Sequence, residues 1–180
     1  MTRKLNLLLY FCLLFCITEG ISQTVLIRGE KTSRSLTWDD FTGAPDHQSN
    51  LFAYTYWYVT YKWGPFGFSG DTVKWKVDVT LELEQRSWRK PDKVSDSLLA
   101  HEQGHFNIGL LFARTFRNRV NKTVFFRHDY ERRIGEIFRE ELDRFREMET
   151  RYDRETRHFH DRVQQKKWDA YLKKELESTR

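Results

Sequence analysis

Leu98-Leu99-Ala100-His101-Glu102-Gln103-Gly104-His105-Phe106 carries an HExxH pattern within a run of helical apolar spacing. Leu98, Ile108, Leu111, Phe112 and Phe116 share that spacing with the two histidines, which predicts an amphipathic helix with both imidazoles on its core-facing side. Residues four apart lie one turn along the same face, so His101 and His105 can aim ring nitrogens at one metal ion. Glu102 lies about 100° round from His101, within reach of a water beside that ion. Two imidazoles and a neighbouring carboxylate suit Zn2+, whose catalytic sites keep one position open for water. Zinc lowers the pKa of such a water to about 7, and a positioned Glu can take its proton and pass it to a leaving amine. That is the chemistry of peptide hydrolysis. The bland alternative is a helix that happens to carry two histidines, but two buried imidazoles without a partner are an expensive arrangement.

Upstream of the motif the pattern changes to strands. Segments 24–28 and 36–41 are short apolar or alternating runs, the second ending in the turn signal Gly43-Ala44-Pro45-Asp46. Segment 51–63 is rich in aromatic and β-branched residues, and 72–84 places Val73, Trp75, Val77, Val79, Leu81 and Leu83 on one side. Gly and Pro break up 64–71, which reads as the connection of an antiparallel hairpin with one buried face. Pro91-Asp92 ends the strands, and Ser95 or Asp96 can cap the motif helix, which runs to about Asn121. Asp129 is placed to cap a second helix, striped by Tyr130, Ile134, Ile137, Phe138, Leu142, Phe145, Met148 and Tyr152. Phe159, Val163, Trp168, Tyr171, Leu172 and Leu176 mark a third. The expected fold is α+β: a small antiparallel sheet, then a zincin-like HExxH helix, then long C-terminal helices, forming one domain over 23–180. A sheet beside the motif helix can offer a free edge to an extended peptide, although the sequence does not say which strand supplies it.

The first residues read differently. Arg3 and Lys4 precede an apolar run over 5–17 and then small or polar residues, the layout of a secretory signal peptide over 1–22. The run falls short of the roughly 20 residues that a spanning helix needs, so the expectation is export to the periplasm or medium, with no membrane span after cleavage. Cys12 and Cys16 both lie in this leader, leaving the rest of the chain without a cysteine for a disulfide or a metal. A lipid anchor on Cys16 is the lesser alternative, because bulky Phe15 stands where lipoprotein signals want a small residue. The formal net charge of +5 includes Arg3 and Lys4, and the modest excess gives no reason to expect a nucleic-acid partner.

A catalytic zinc needs a third protein ligand, and three readings compete. Glu131 or Glu136 would complete a site of two histidines and a glutamate, His158 or His160 would complete a site of three histidines, or there is no third ligand. Glu131 lies among Arg127, Arg132 and Arg133, which suits a salt-bridging surface residue better.

The run Ser97-Leu98-Leu99-Ala100-His101-Glu102-Gln103-Gly104-His105-Phe106-Asn107-Ile108, followed by Tyr152-Asp153-x-x-Thr156-x-His158 and Gln165-x-x-Trp168, resembles the bacterial predicted secreted zinc-dependent proteases, a family long carried as a domain of unknown function. Its upstream Trp-Asp-Phe-Gly type signature is matched by Leu36, Trp38, Asp40, Phe41, Gly43 and Pro45, then Ala53 and Thr55. The resemblance spans about 36–168. It implies an exported zinc metallopeptidase acting on peptide or protein substrates, with His101, His105 and His158 as metal ligands and Glu102 as general base. Phe159 stands where that family usually has Gly, which keeps the nearby His160 as a substitute ligand. Two neighbours of His158 attract roles of their own. Asp153 can accept the outer ring N–H of a ligand histidine, and Tyr152 can donate to the oxyanion of a tetrahedral intermediate or serve as a core aromatic. The rivals from other classes are a zinc-binding structural or interaction module, which would have no need of Glu102, and a zinc amidase acting on cell-wall material.

Overall fold

In the computed structural model, which describes residues 23–179, the alternating segment is the central strand of a four-stranded sheet. The expected leader over 1–22, with its two cysteines, lies outside the described residues. In chain order the strands are β1 (Gln23–Ile27), β2 (Glu30–Lys31), β3 (Ala53–Tyr54), β4 (Trp57–Ser69), β5 (Thr72–Leu83) and β6 (Trp88–Arg89). The large sheet runs β2-β1-β5-β4, and β3 with β6 forms a separate two-stranded piece. Val73, Val77, Val79, Leu81 and Leu83 of β5 are all buried, as period-two alternation requires. Three helices complete the α+β fold: α1 (Asp96–Lys122), α2 (Tyr130–Thr156) and α3 (Arg162–Ser178). α1 lays Ile108, Phe112, Phe116 and Val120 in the common core, and α2 and α3 both pack against it. Among the described residues no helix is long and apolar enough to cross a membrane.

Three strand expectations are corrected. The sheet is mixed, because β1 lies parallel to β5, with Gln23 opposite Val79 and Ile27 opposite Leu83. Alternation buries Ile27 correctly but carries no information about strand direction. Segment 36–41 forms a 3-10 turn at Trp38–Asp40 instead of a strand. There Asp40 accepts from the Thr37 backbone N–H at 2.7 Å and pairs with Arg34 at 2.6 Å, and this local bonding outcompetes a ladder. Finally, β4 continues through 64–69. A bulge between Trp63 and Phe66 absorbs Gly64 and Pro65, and Phe66 then pairs with Trp75 and Phe68 with Val73. β4 is an edge strand, the one place in a sheet where proline's missing N–H is tolerated.

The helix ends bear on the site. Ser95 caps α1 by accepting from Leu98 N–H at 3.2 Å. Asp129 precedes α2 as expected but makes no side-chain cap bond, and its carboxylate pairs with Arg132. α3 begins later than its apolar stripe suggests, because Asp161 accepts from the N–H groups of Val163 and Gln164 and so sets the start. The start of α1, the end of α2 and the start of α3 therefore meet beside β3.

Candidate metal centre

His101 and Glu102 are almost fully buried, 2% and 3% exposed, and His105 lies one turn further along α1. The end of α2 crosses them with Glu149, Tyr152, Asp153 and Thr156, whose three- and four-residue spacings put them on one face. Asp153 Oδ1 lies 3.1 Å from His101 Nε2 and 3.0 Å from His105 Nε2. The same oxygen lies 3.2 Å from His158 Nδ1.

The outer ring nitrogens of the helix histidines are also engaged. His101 Nδ1 faces Gln165 Oε1 at 3.2 Å, and His105 Nδ1 faces Glu149 Oε1 at 3.3 Å. The Gln165 amide has only one sensible orientation, because its nitrogen donates to the Tyr152 hydroxyl at 2.7 Å and to Asp169 Oδ1 at 2.8 Å. Its oxygen must then accept from His101, which assigns that ring's proton to Nδ1. Glu149 does the same for His105. Both Nε2 atoms are left with lone pairs directed at an anionic oxygen, and such a meeting is stable only with a cation between the groups.

In the metal-free chain that cation is a proton. Burial works against charge on His105, but hydrogen bonds to Asp153 and Glu149 outweigh it and push the imidazole up to about 10. Burial would likewise raise Asp153, yet the two imidazoles hold its carboxyl well below the usual range. A divalent ion would supply the same charge. The 3.0–3.2 Å separations resemble the edges, about 3.3 Å, of a tetrahedron with zinc–ligand bonds near 2.05 Å. The ligand atoms of His101, Asp153 and His158 all lie within 4.8 Å of one another, and His105 reaches the shared Asp153 oxygen. The donor set fits zinc.

His158 arrives by an unusual route. Arg157, His158 and Phe159 have φ values of 50°, 49° and 73°, three successive non-glycine residues in the left-handed region. The first two close the end of α2, with His158 N–H bonding Asp153 C=O at 3.0 Å. Phe159, at a φ of 73°, adopts a backbone that glycine takes freely and phenylalanine only under strain. Strain of this kind, of order 1–3 kcal/mol per residue, persists where surrounding structure over-determines it, and it concentrates at functional sites.

Glu102 faces a cleft of about 510 Å3, floored by α1 and walled by residues 50–57, the end of α2 and residues 158–160. Its Oε2 accepts from Thr55 Oγ1 at 2.6 Å, which fixes the carboxylate beside the histidines.

Two sequence-level assignments change, those of Asp153 and Tyr152, and two lesser alternatives for the third ligand, His160 and the Glu131 or Glu136 pair, fall away. Asp153, expected on an outer ring nitrogen, sits on the inner side, and the outer positions belong to Gln165 and Glu149. Tyr152, expected as an oxyanion donor, is fully buried and lies outside the cleft lining. Its hydroxyl donates to the His101 carbonyl at 3.0 Å, its ring stacks on His101 at 4.7 Å and 13°, and burial pushes the phenol far above its ordinary value. It positions His101 and has no proton to offer the cleft. His160 turns to Phe159 and Phe52 at the rim, away from the donor cluster. Glu131 accepts from Tyr130 and Glu136 pairs with Arg132 and Arg133, near the start of α2. At 1.5 Å per residue Glu131 is about 33 Å along the helix from Asp153, so it cannot be a ligand. Gln165, Glu149 and Thr55 were not anticipated as supporting residues. Glu149 lies one turn before Asp153, a spacing that sequence alone displays.

The family described as bacterial protein of unknown function (DUF922) matches residues 28–161. The chain belongs to this family. The matched DUF922 span contains His101, Glu102, His105, Asp153 and His158, and ends just before α3, which supplies Gln165. No curated protein and no solved structure is matched by the chain.

Proposed function

We propose that this DUF922 chain is an exported, zincin-like zinc metallopeptidase. The observation that carries the proposal is the convergence of His101 Nε2 and His105 Nε2 on Asp153 Oδ1 while both outer nitrogens are taken by Gln165 and Glu149. That arrangement directs two lone pairs and a carboxylate at one point, the requirement for a divalent ion. His101, His105 and Asp153 are the firm donors. His158, with its side chain 53% exposed and held by the strained run, is the fourth and the least firmly fixed, and it is the donor that gives up its place to the water a catalytic zinc needs.

When bound, zinc polarises a carbonyl and brings the pKa of water near neutrality. The remaining work falls to the chain itself. Glu102, oriented by Thr55, takes a proton from the attacking water and delivers it to the leaving amine nitrogen. Tyr152 and Gln165 hold the His101 ring in its orientation and tautomer. A leader with a basic start and a short apolar run supports export, and a carboxylate aimed into an open cleft argues for catalysis over a purely structural zinc module.

Elemental analysis and digestion of a peptide library test the proposal together. Wild type should hold about one zinc per chain, and His101→Ala should lose it. Glu102→Gln should keep the zinc and lose about 10²–10⁴-fold in cleavage rate. A chain that takes up no zinc, or a fully active Glu102→Gln, would defeat the proposal.

A further inference from the structure

β3 is hydrogen-bonded on one side only. Phe52 C=O accepts from Lys90 N–H at 2.7 Å, and Ala53 and Tyr54 stand opposite Arg89 and Trp88. In an antiparallel pair the residues facing a partner alternate, so Phe52 and Tyr54 turn their backbone groups to β6. Ala53 and Thr55 turn theirs the other way. Both residues line the cleft, and among the described residues β3 pairs with β6 alone. A strand edge with no strand beside it, facing a cleft next to Glu102, is suited to accept another strand.

The end of this cleft is aromatic by construction, with His160 set against Phe159 and Phe52. Phe159 keeps a φ of 73°, which a glycine adopts freely and a phenylalanine only under strain. What the strained residue adds is its ring, which meets Phe52 at 6.0 Å across the cleft end. Leu98, one turn before Glu102 on α1, lines the same cleft. Neither phenylalanine belongs to the main core. A strained aromatic side chain that contributes little to the core and faces the site has its use in binding.

We infer that the site takes an extended polypeptide whose backbone joins β3 at Ala53 and Thr55, and that Phe159, with Phe52 and Leu98, selects a bulky apolar side chain beside the bond to be cut. The inference rests on the hydrolase proposal for the cutting alone. Binding does not depend on it.

The test uses the zinc-loaded full chain carrying Glu102→Gln and a degenerate library of acetylated, amidated decapeptides. Retained peptides should be enriched roughly tenfold for Phe, Leu or similar side chains at one position, the discrimination expected of an apolar pocket. Adding Phe159→Gly, which removes the ring while relaxing the backbone, should abolish the enrichment and leave zinc content unchanged. N-methylation of a retained peptide, one residue at a time, should weaken binding at every second position, the signature of strand addition. Failure to retain any peptide, an enrichment that survives Phe159→Gly and Phe52→Ala, or methylation effects without a two-residue period would each overturn the inference. If wild type bound the same peptides without cleaving them, the hydrolase proposal would fail and this one would stand.

Discussion

The two halves of α1 are buried by opposite means. Over 108–120 the helix presents Ile108, Phe112, Phe116 and Val120, each almost without exposed surface, to other apolar groups. Phe112 meets Phe138 at 5.4 Å and Phe145 at 5.6 Å, and Phe116 meets Tyr61 at 5.2 Å. Over 98–105 the helix buries His101 and Glu102 instead, and both His101 nitrogens and Glu102 Oε2 meet partners from other elements: Asp153, Gln165 and Thr55. Even the glycines divide this way. A side chain at Gly109 would strike the Trp57 ring, its Cβ only 2.7 Å away, whereas one at Gly104 would run into the Tyr152 hydroxyl. The apolar half gains from any well-shaped contact, while the polar half is stable only when its whole network is complete. The first is a foundation and the second is a load upon it.

Four predictions try that contrast. Phe116→Ala should cost about 3–5 kcal/mol in denaturant unfolding, the usual cost of an emptied aromatic site; a loss under about 1 kcal/mol would mean that the apolar half is not the foundation. Gly104→Ala should cost about 1–3 kcal/mol by overpacking and should also weaken zinc binding, because displacing Tyr152 moves the ring stacked on His101. Retention of both stability and zinc affinity would show that the fit around Tyr152 is loose. Gln165→Ala should lower zinc affinity about 10–100-fold, read by competition with a chromophoric chelator, with little change in unfolding. A large unfolding change with unaltered affinity would move Gln165 from the polar half's network into the foundation.

The smallest effect is a proton count. Because His105 is held protonated up to about 10 in the metal-free chain, zinc uptake at pH 7 must expel that proton. Calorimetry in two buffers of different ionisation enthalpy should find about one proton released, and zinc affinity should climb with pH until near 10. Uptake without proton release would mean that the imidazole was already neutral and that its partners do not act as described.

Much of the fold was legible beforehand. The three helices and β5 follow their apolar periods within a few residues, since those periods come from the backbone's own repeat. Less legible were the parallel β1, the turn at Trp38–Asp40 and the run of β4 through Gly64 and Pro65. Each depends on what lies beside the segment: an open edge of β5, Arg34 next to Asp40, or Trp75 and Val73 opposite two phenylalanines. Local signals at those positions were outweighed by pairing.

The candidate site divides the same way. By itself the sequence determined that His101 and His105 share one helix face with Glu102 beside them, because hydrogen bonding within a single helix sets the geometry of residues four apart. Only the tertiary structure decided that Asp153 meets both Nε2 atoms, that Tyr152 faces inward, that Gln165 and Glu149 take the outer nitrogens, and that an edge of β3 borders the cleft. Those distances are set by how α2 and α3 cross α1, which follows from side chains interlocking between helices and has no counterpart in the spacing along any one of them.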